Sequence, residues 1–337
     1  MAVKKASKAN NQQSVQDVFF QRLKELLPPK IGLAEELADI LNVSIDSAYR
    51  RIRGETEISL NEIFKISKHY NFSVDEIFGN QSSTVTFKYT KLTDNAKNFE
   101  DYLNRLINHL KTIAQFDNKK IFYVAEEVPI FYSFFTKKLT AFKLFYWQRS
   151  VLNVQEYQHQ KFDWNLIPEN LINLAHNSFK EYLNVPSAEV WTDGTILTGI
   201  RQIMYYCESG LIDKNMALEL LTDYRAMVEM LNKNAANARK NVSDAVETFF
   251  MYQSDIVLGT NCIYIIMGDA RYSYISFNTM NSLSTTNAAF CEETDHWVRN
   301  LEKKSTLISG VAEKQRYQFF SYMFKCVDDA IQKVKTD

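Results

Sequence analysis

The chain has 337 residues, 46% of them hydrophobic, and a formal net charge of -1 at pH 7. This is the composition of an ordinary soluble globular protein, with room for one small domain and one or two larger ones, and its near-neutral charge lends no support of its own to a nucleic-acid partner. No apolar run approaches the length of a membrane span, Met1 to Asn10 lacks the apolar core of a signal peptide, and the four cysteines form no CxxC pair, so a cytoplasmic protein with buried, reduced Cys207, Cys262, Cys291 and Cys326 is expected.

Met1 to Ser14 is polar, carries Lys4, Lys5 and Lys8, and reads as a disordered tail (1–14). Val15 to Leu27 follows as an amphipathic helix through Val18, Phe19, Leu23, Leu26 and Leu27, stopped by Pro28 and Pro29. Leu33, Leu37, Ile40 and Leu41 then fall at i, i+4, i+7 and i+8 and predict a helix over 33–41. Asn42 suits its left-handed exit, Ser44 the N-cap of a second helix over 45–53, and Gly54 the position after that helix. Two helices joined by a three-residue turn make a helix-turn-helix.

On the second of these helices, at roughly 100° per residue, Ile45, Ala48 and Ile52 share the side expected to pack inward. Asp46, Ser47, Arg50 and Arg53 gather opposite, with Tyr49 and Arg51 on the flanks. Ser59 with Glu62 forms a capping box with Ile58 and Ile63 as its hydrophobic staple, and Ser73 with Glu76, flanked by Phe72 and Ile77, repeats the device.

The stretch from about Val15 to Gly79 resembles the helix-turn-helix domain of phage repressors, the Cro and repressor (XRE) type found in bacterial regulators. The resemblance rests on LAEELADILNVS, the helix ending in RIRG, and the closing SVDEIFG. It implies an all-α bundle of five helices over 15–80 whose third helix enters the major groove of double-stranded DNA. Carried over, Ser44, Asp46, Ser47 and Arg50 face bases or adjoining phosphates, and Arg51 and Arg53 lie nearer the DNA backbone. Tyr49 flanks them. Two positions depart from the pattern: Ala34 replaces a glutamine that touches phosphate, and Ile52 replaces an acidic residue that ties the third helix to the first.

Independently of that resemblance, an arginine can bond guanine O6 and N7 together, worth about 1 to 3 kcal/mol of discrimination, and Arg50 is the candidate. Asp46 either accepts from a cytosine amine or stabilises the positive end of the helix dipole. Residues 1–80 hold eleven Lys and Arg against eleven Asp and Glu, so DNA affinity would depend on how the charges are placed.

Residues 81–93 read as a linker, although TVTFKY within them alternates as a short strand does. Residues 94–337 read as a larger, mainly helical α+β domain with an antiparallel sheet. Its first helix, about 94–116, carries Leu92, Ala96, Phe99, Leu103, Leu106, Leu110 and Ile113 in heptad spacing, and its last, about 311–335, carries Tyr317, Phe320, Phe324, Val327, Ile331 and Val334 likewise. Each stripe is either packed within the domain or a seam for a homodimer. Between them come a strand at 120–125, an aromatic run after Pro129 that is either core or ligand pocket, helices at about 168–182, 195–209 and 214–240, and strands within 248–257, 261–267 and 271–277. Gly268 and Asp269 supply a hairpin turn.

Nothing in the sequence calls for catalysis, a metal or a cofactor. The five histidines show no metal spacing, no glycine loop for phosphate is present, and the adjacent pairs Glu126/Glu127, Glu292/Glu293 and Asp328/Asp329 read as solvated surface. The expectation is a non-enzymatic, dimeric DNA-binding regulator, with an unidentified small-molecule or protein effector acting on the second domain. The alternative is an adaptor or antitoxin-like component whose second domain binds a protein.

Overall fold

The computed structural model describes residues 14–26, 32–70, 85–90, 96–277 and 281–336. The chain divides into two compact units, Met1–Thr86 and Phe87–Asp337.

The described part of the first unit holds four helices: α1 Val15–Leu26, α2 Leu33–Leu41, α3 Ile45–Ile52 and α4 Leu60–Tyr70. Local chemistry sets their ends. Asn42 sits in the left-handed region at φ 55° and closes α2, the Ser44 side chain accepts from the Ser47 amide and opens α3, and Gly54 follows α3 at φ 73°. At α4, Ser59 N–H donates to the Glu62 carboxylate at 2.9 Å and Glu62 N–H donates back to Ser59 Oγ at 3.3 Å, a complete capping box. Ile58 and Ile63 both rest against a core of Phe19, Phe20, Leu23, Leu37, Leu41, Ala48 and Ile66. The second capping box and the closing SVDEIFG lie outside the described residues, so the fifth helix has no observed counterpart here.

In the second unit a seven-stranded sheet is ordered β6-β5-β4-β1-β2-β3-β7. The strands are β1 Lys119–Ala125, β2 Ser187–Trp191, β3 Phe249–Gln253, β4 Cys262–Met267, β5 Ala270–Phe277, β6 Asn281–Thr285 and β7 Thr306–Leu307. The helices are α5 Ala96–Ala114, α6 Lys137–Tyr146, α7 Gln155–Gln158, α8 Glu169–Leu183, α9 Leu197–Glu208, α10 Lys214–Asn237, α11 Ala288–Lys304 and α12 Glu313–Thr336.

The expected antiparallel sheet is corrected to a mixed one. The pairs β1/β4, β4/β5, β5/β6 and β3/β7 are antiparallel, but β1, β2 and β3 run parallel through helical crossovers. The strand that makes the difference is β2, SAEVW, which the sequence reading missed because it is short and centred on a glutamate. Burial is affordable there because Glu189 accepts from Tyr132 and Tyr182 hydroxyls at 2.7 and 2.6 Å, from Ser187 Oγ at 3.1 Å and from Trp191 Nε1 at 3.1 Å. The β4–β5 hairpin turns on Gly268 and Asp269 as expected, with Gly268 at φ 60°.

One sheet face carries the main core, from Ile121 and Tyr123 across to α5, α8, α10 and α12. The other face buries Phe122, Val124, Ala188, Val190 and Tyr264 with Cys291, Val298 and Leu301 of α11. Leu92 and the Ala96 side chain lie outside the described residues; the rest of both heptad stripes is largely absorbed within the unit. Phe99, Leu103, Leu110 and Ile113 are buried, as are Phe320, Val327 and Val334, and of the second stripe Tyr317 is exposed. The aromatic run after Pro129 is core as well, including Phe131, Phe134, Phe142 and Phe145.

Four smaller expectations are corrected. Residues 87–90, placed in the linker, belong to the second unit, where Lys88 bridges to Ser284 beside β6 and the Thr90 carbonyl accepts from Asn281. Strand β3 stops at Gln253, short of Val257. Cys262 and Cys291 are buried, while Cys207 and Cys326 are only partly so; all four are free thiols. Glu127, read as solvated, is largely buried beside Lys143. Among the described residues no helix is long and apolar enough to cross a membrane.

Candidate nucleic-acid interface

Helix α3 is short, so its position depends on what holds each end and its inner face. Ala48 is fully buried and Ile52 partly so against the first unit's core. Ile45 departs from the expected inward face: it is half exposed, because at the first turn of α3 it lies at the margin of the packed surface. Ser44 does two jobs at that end, accepting from Ser47 N–H at 3.2 Å and donating to Ser47 Oγ at 2.9 Å.

The outward face carries Asp46, Tyr49, Arg50 and Arg53, all exposed, with Ser47 half-buried beside them. Arg50 Nε stands 3.1 Å from Asp46 across one helical turn, and Arg53 makes a two-pronged contact with Glu55 at 2.7 and 3.1 Å. The Arg53 hydrogen bonds raise its own pKa and lower that of Glu55. These pairs lie in water, where solvent screens such contacts, so either arginine can be released readily to a stronger acceptor.

Arg51 behaves differently from its neighbours. Its Nε and Nη2 donate to Glu62 Oε1 at 3.2 and 2.8 Å, and Nη1 donates to the Ser47 carbonyl at 3.0 Å. Both partners of the Arg51–Glu62 pair are less than one-fifth exposed. Burial works to raise the Glu62 pKa, but the Arg51 and Ser59 hydrogen bonds outweigh it and hold the carboxyl below its usual value. Since Glu62 also closes the α4 capping box, one carboxylate joins α3 to the start of α4. Arg51 therefore sits inward, tied to protein, rather than on the outward face where the repressor resemblance placed it.

A residue the sequence reading passed over completes the support. Gln16 on α1 donates from Nε2 to the carbonyls of Arg51 and Thr56 at 2.7 and 2.8 Å, and its Oε1 accepts from Ile58 N–H at 3.0 Å. It thus holds the end of α3 and the loop after it to the first helix, the tie that Ile52 does not supply. No local signal marks it, since its partners lie 35 to 42 residues away. Ala34, at the other departure from the repressor pattern, is buried.

The structure therefore brings Ser44, Asp46, Ser47, Tyr49, Arg50 and Arg53 onto or beside one solvent-facing surface and takes Arg51 out of it. Among the described residues no cluster of histidine, cysteine and carboxylate side chains could hold a metal ion. Residues 14–101 match the family model described as the BetR domain, a helix-turn-helix-type DNA-binding domain family. The match covers the four helices and runs into the start of α5. No curated protein and no solved structure matches this chain.

Proposed function

We propose that the chain is a sequence-specific, non-enzymatic transcription regulator of the phage-repressor type, acting in the cytoplasm as a homodimer with its second unit as the regulatory domain. The outer face of α3 carries this reading: a helix braced from inside by Arg51 and Gln16 presents Asp46, Tyr49, Arg50 and Arg53 to solvent. Arg50 is the base reader, suited to a guanine edge, and Arg53 is suited to phosphate. Arg51 holds the helix in place. Two such helices would enter successive major grooves about 34 Å apart. Because most of the described residues of both heptad stripes pack into the core of the second unit, we place the proposed dimer contacts on another surface.

Selection from random duplex DNA at moderate salt, with the full-length protein, tests the proposal. Enrichment of a two-fold symmetric motif is expected; a folded protein that enriches nothing would overturn DNA reading by the chain alone.

A second reading, a protein-binding adaptor, draws on two observations. Residues 1–80 are neutral overall, and Leu60 and Phe64, one turn apart on α4, are 84% and 66% exposed. Salt separates the two: binding through several phosphates falls steeply as salt rises, whereas an apolar protein contact responds little.

A further inference from the structure

One end of the second unit carries an apolar surface that the unit itself leaves uncovered. It is built on the last turns of α10, the first turns of α12 and the loops that adjoin them. Val311 is 100% exposed, Val242 87%, Tyr317 73% and Val246 69%. Apolar side chains scattered singly over a surface need no explanation, but a group of them at one end of a domain marks an interaction site.

The backbone beneath them is fastened. Ala238 ends α10 in the left-handed region at φ 50°, and its carbonyl accepts from Thr248 N–H and Phe249 N–H at 2.9 and 3.0 Å, closing the loop that holds Val242 and Val246. Within that loop the Asp244 carboxylate accepts from Asn241 N–H at 3.0 Å and from Thr248 Oγ1 at 2.6 Å. Gly310 N–H donates to the Ala235 carbonyl at 2.8 Å, on the same last turn of α10, and Arg316 Nη1 donates to the Ile308 and Gly310 carbonyls at 3.3 and 2.7 Å. Val311 and Tyr317 are the residues next to these anchors. The surface is therefore preformed, and little ordering cost opposes whatever covers it.

Between the two helices it dips into a groove whose apolar part is Ala236, Val311, Tyr317 and Phe324. The groove's rim holds two carboxylates, Glu229 and Glu313, and two ammonium groups, Lys233 and Lys314, all exposed. Lys233, Glu313 and Lys314 form no ion pair among the described residues, and Glu229 meets the partly exposed Arg225. An apolar centre inside a charged rim is the composition of a protein interface. The signs of the charges select the partner. With two of each, the rim offers no surplus to a nucleic acid, an anionic membrane or a strongly charged protein. A second copy of the same rim, turned about a two-fold axis, can meet each lysine with a glutamate, because in such an interface residue i faces j and j faces i.

We infer that two copies of the chain pack against each other through this end of the second unit, with Val311 and Tyr317 at the centre and the lysines Lys233 and Lys314 of each copy facing Glu229 and Glu313 of the other. The inference deepens the dimeric regulator reading and rests on it, since a two-fold operator calls for a two-fold protein.

Sedimentation of the full-length chain, without DNA, tests it separately from operator selection. A concentration-dependent equilibrium between monomer and dimer is expected. Val311→Asp and Tyr317→Glu, both at exposed positions, should each raise the dimer dissociation constant by about thirtyfold or more, as loss of a central contact does, with the circular dichroism spectrum unchanged. A second pair of variants reads the charge pairing. Lys233→Glu with Lys314→Glu makes all four rim charges negative, and Glu229→Lys with Glu313→Lys makes them positive. Each of these chains should be monomeric alone, and the two should form a heterodimer when mixed. An unaltered chain that stays monomeric well above micromolar concentration overturns the inference together with the dimeric part of the regulator reading. A dimer left intact by Val311→Asp and Tyr317→Glu overturns the inference alone and assigns the dimer to another surface. Oppositely charged chains that fail to associate on mixing also overturn it.

Discussion

Arg50 and Arg51 are neighbours in the chain and belong to opposite sides of the same helix. Arg50 reaches into water and shares a loose contact with Asp46, while Arg51 turns inward and spends all three of its donor nitrogens on Glu62 and the Ser47 carbonyl. A run of arginines on a short helix is therefore not one basic patch. Under the proposed function, one member would exchange its partner for a nucleic-acid acceptor, and the other stabilises the surface from which that exchange would be made. Losing the inner arginine or its carboxylate should damage the fold of the first unit, whereas losing the outer one should damage only what that unit recognises.

The largest effect is expected at Glu62. Glu62→Ala removes two charged hydrogen bonds to Arg51 and the reciprocal cap with Ser59, leaving a largely buried guanidinium without its counter-charge. A loss of about 2 to 3 kcal/mol in the local stability of α3 and α4 follows. Amide hydrogen exchange in the full-length chain should show it as exchange of those helices faster by about 30- to 150-fold, with the second unit unaffected. Exchange unchanged in α3 would mean that the inner pair does not hold the helix. The same pair predicts a pH dependence. The folded Glu62 pKa is lowered, so the folded state releases this proton more readily than the unfolded chain. Its stabilisation is complete above the carboxyl's ordinary value of 4.5 and is lost as pH falls through the lowered folded value. Glu62→Gln should flatten that acid-side loss of protection in α3.

At the outer arginine the expectation reverses. Arg50→Ala should cost about 1 to 3 kcal/mol of DNA affinity and relax specificity at one base pair. Its melting temperature should stay unchanged, because the Asp46 contact it gives up is exposed. Competition binding against single-base operator variants reads this. A loss equal for every sequence would make Arg50 a phosphate contact and sink its role as base reader.

The physical range of each signal explains why some of this was legible in the residues and some was not. Asn42 at the exit of α2, Ser44 and Gly54 around α3, the Ser59–Glu62 box and the Gly268–Asp269 hairpin are each decided within about four residues, and each was expected where it is found. Helical periodicity alone also placed Asp46, Arg50 and Arg53 on one side. It put Arg51 only on a flank, because what draws that side chain inward is Glu62, eleven residues away across a turn. Longer separations left no trace at all. The Gln16 contacts bridge 35 to 42 residues, the parallel pairing of β1 with β2 joins strands separated by three helices, and the burial of Glu127 depends on Lys143 and the helices around it. Strand β2 hid behind its glutamate, whose four hydrogen-bond donors come from the short 3-10 helix Ile130–Phe134, from α8 and from the strand itself.

Gln16 gives an intermediate test of the inner support. Gln16→Leu keeps the bulk of the side chain and deletes three neutral hydrogen bonds to the segment from Arg51 to Ile58. Some of these bonds are partly exposed to water, so the cost should be about 1 to 2 kcal/mol, less than at Glu62. Faster exchange should be confined to the Ile58 amide and the end of α3. Exchange rising equally throughout α1 to α4 would instead make Gln16 a general core residue with no particular hold on the loop.

The smallest effect, and the one that isolates the outer surface, belongs to Asp46. In the free protein its carboxylate neutralises Arg50, and on DNA it would lie close to the phosphates that Arg50 and Arg53 approach. Asp46→Asn removes one negative charge from that face while leaving a side chain able to bond the first turn of α3. Non-specific DNA affinity should rise by no more than about 1 kcal/mol, and binding should depend more steeply on salt, by less than one unit of slope. A salt titration of binding to an unrelated duplex measures both. If Asp46 instead accepts from a cytosine amine, the same substitution should lower affinity for the selected operator by about 1 to 3 kcal/mol while raising it for the unrelated duplex, and that opposite response would assign the residue to base reading rather than to holding Arg50.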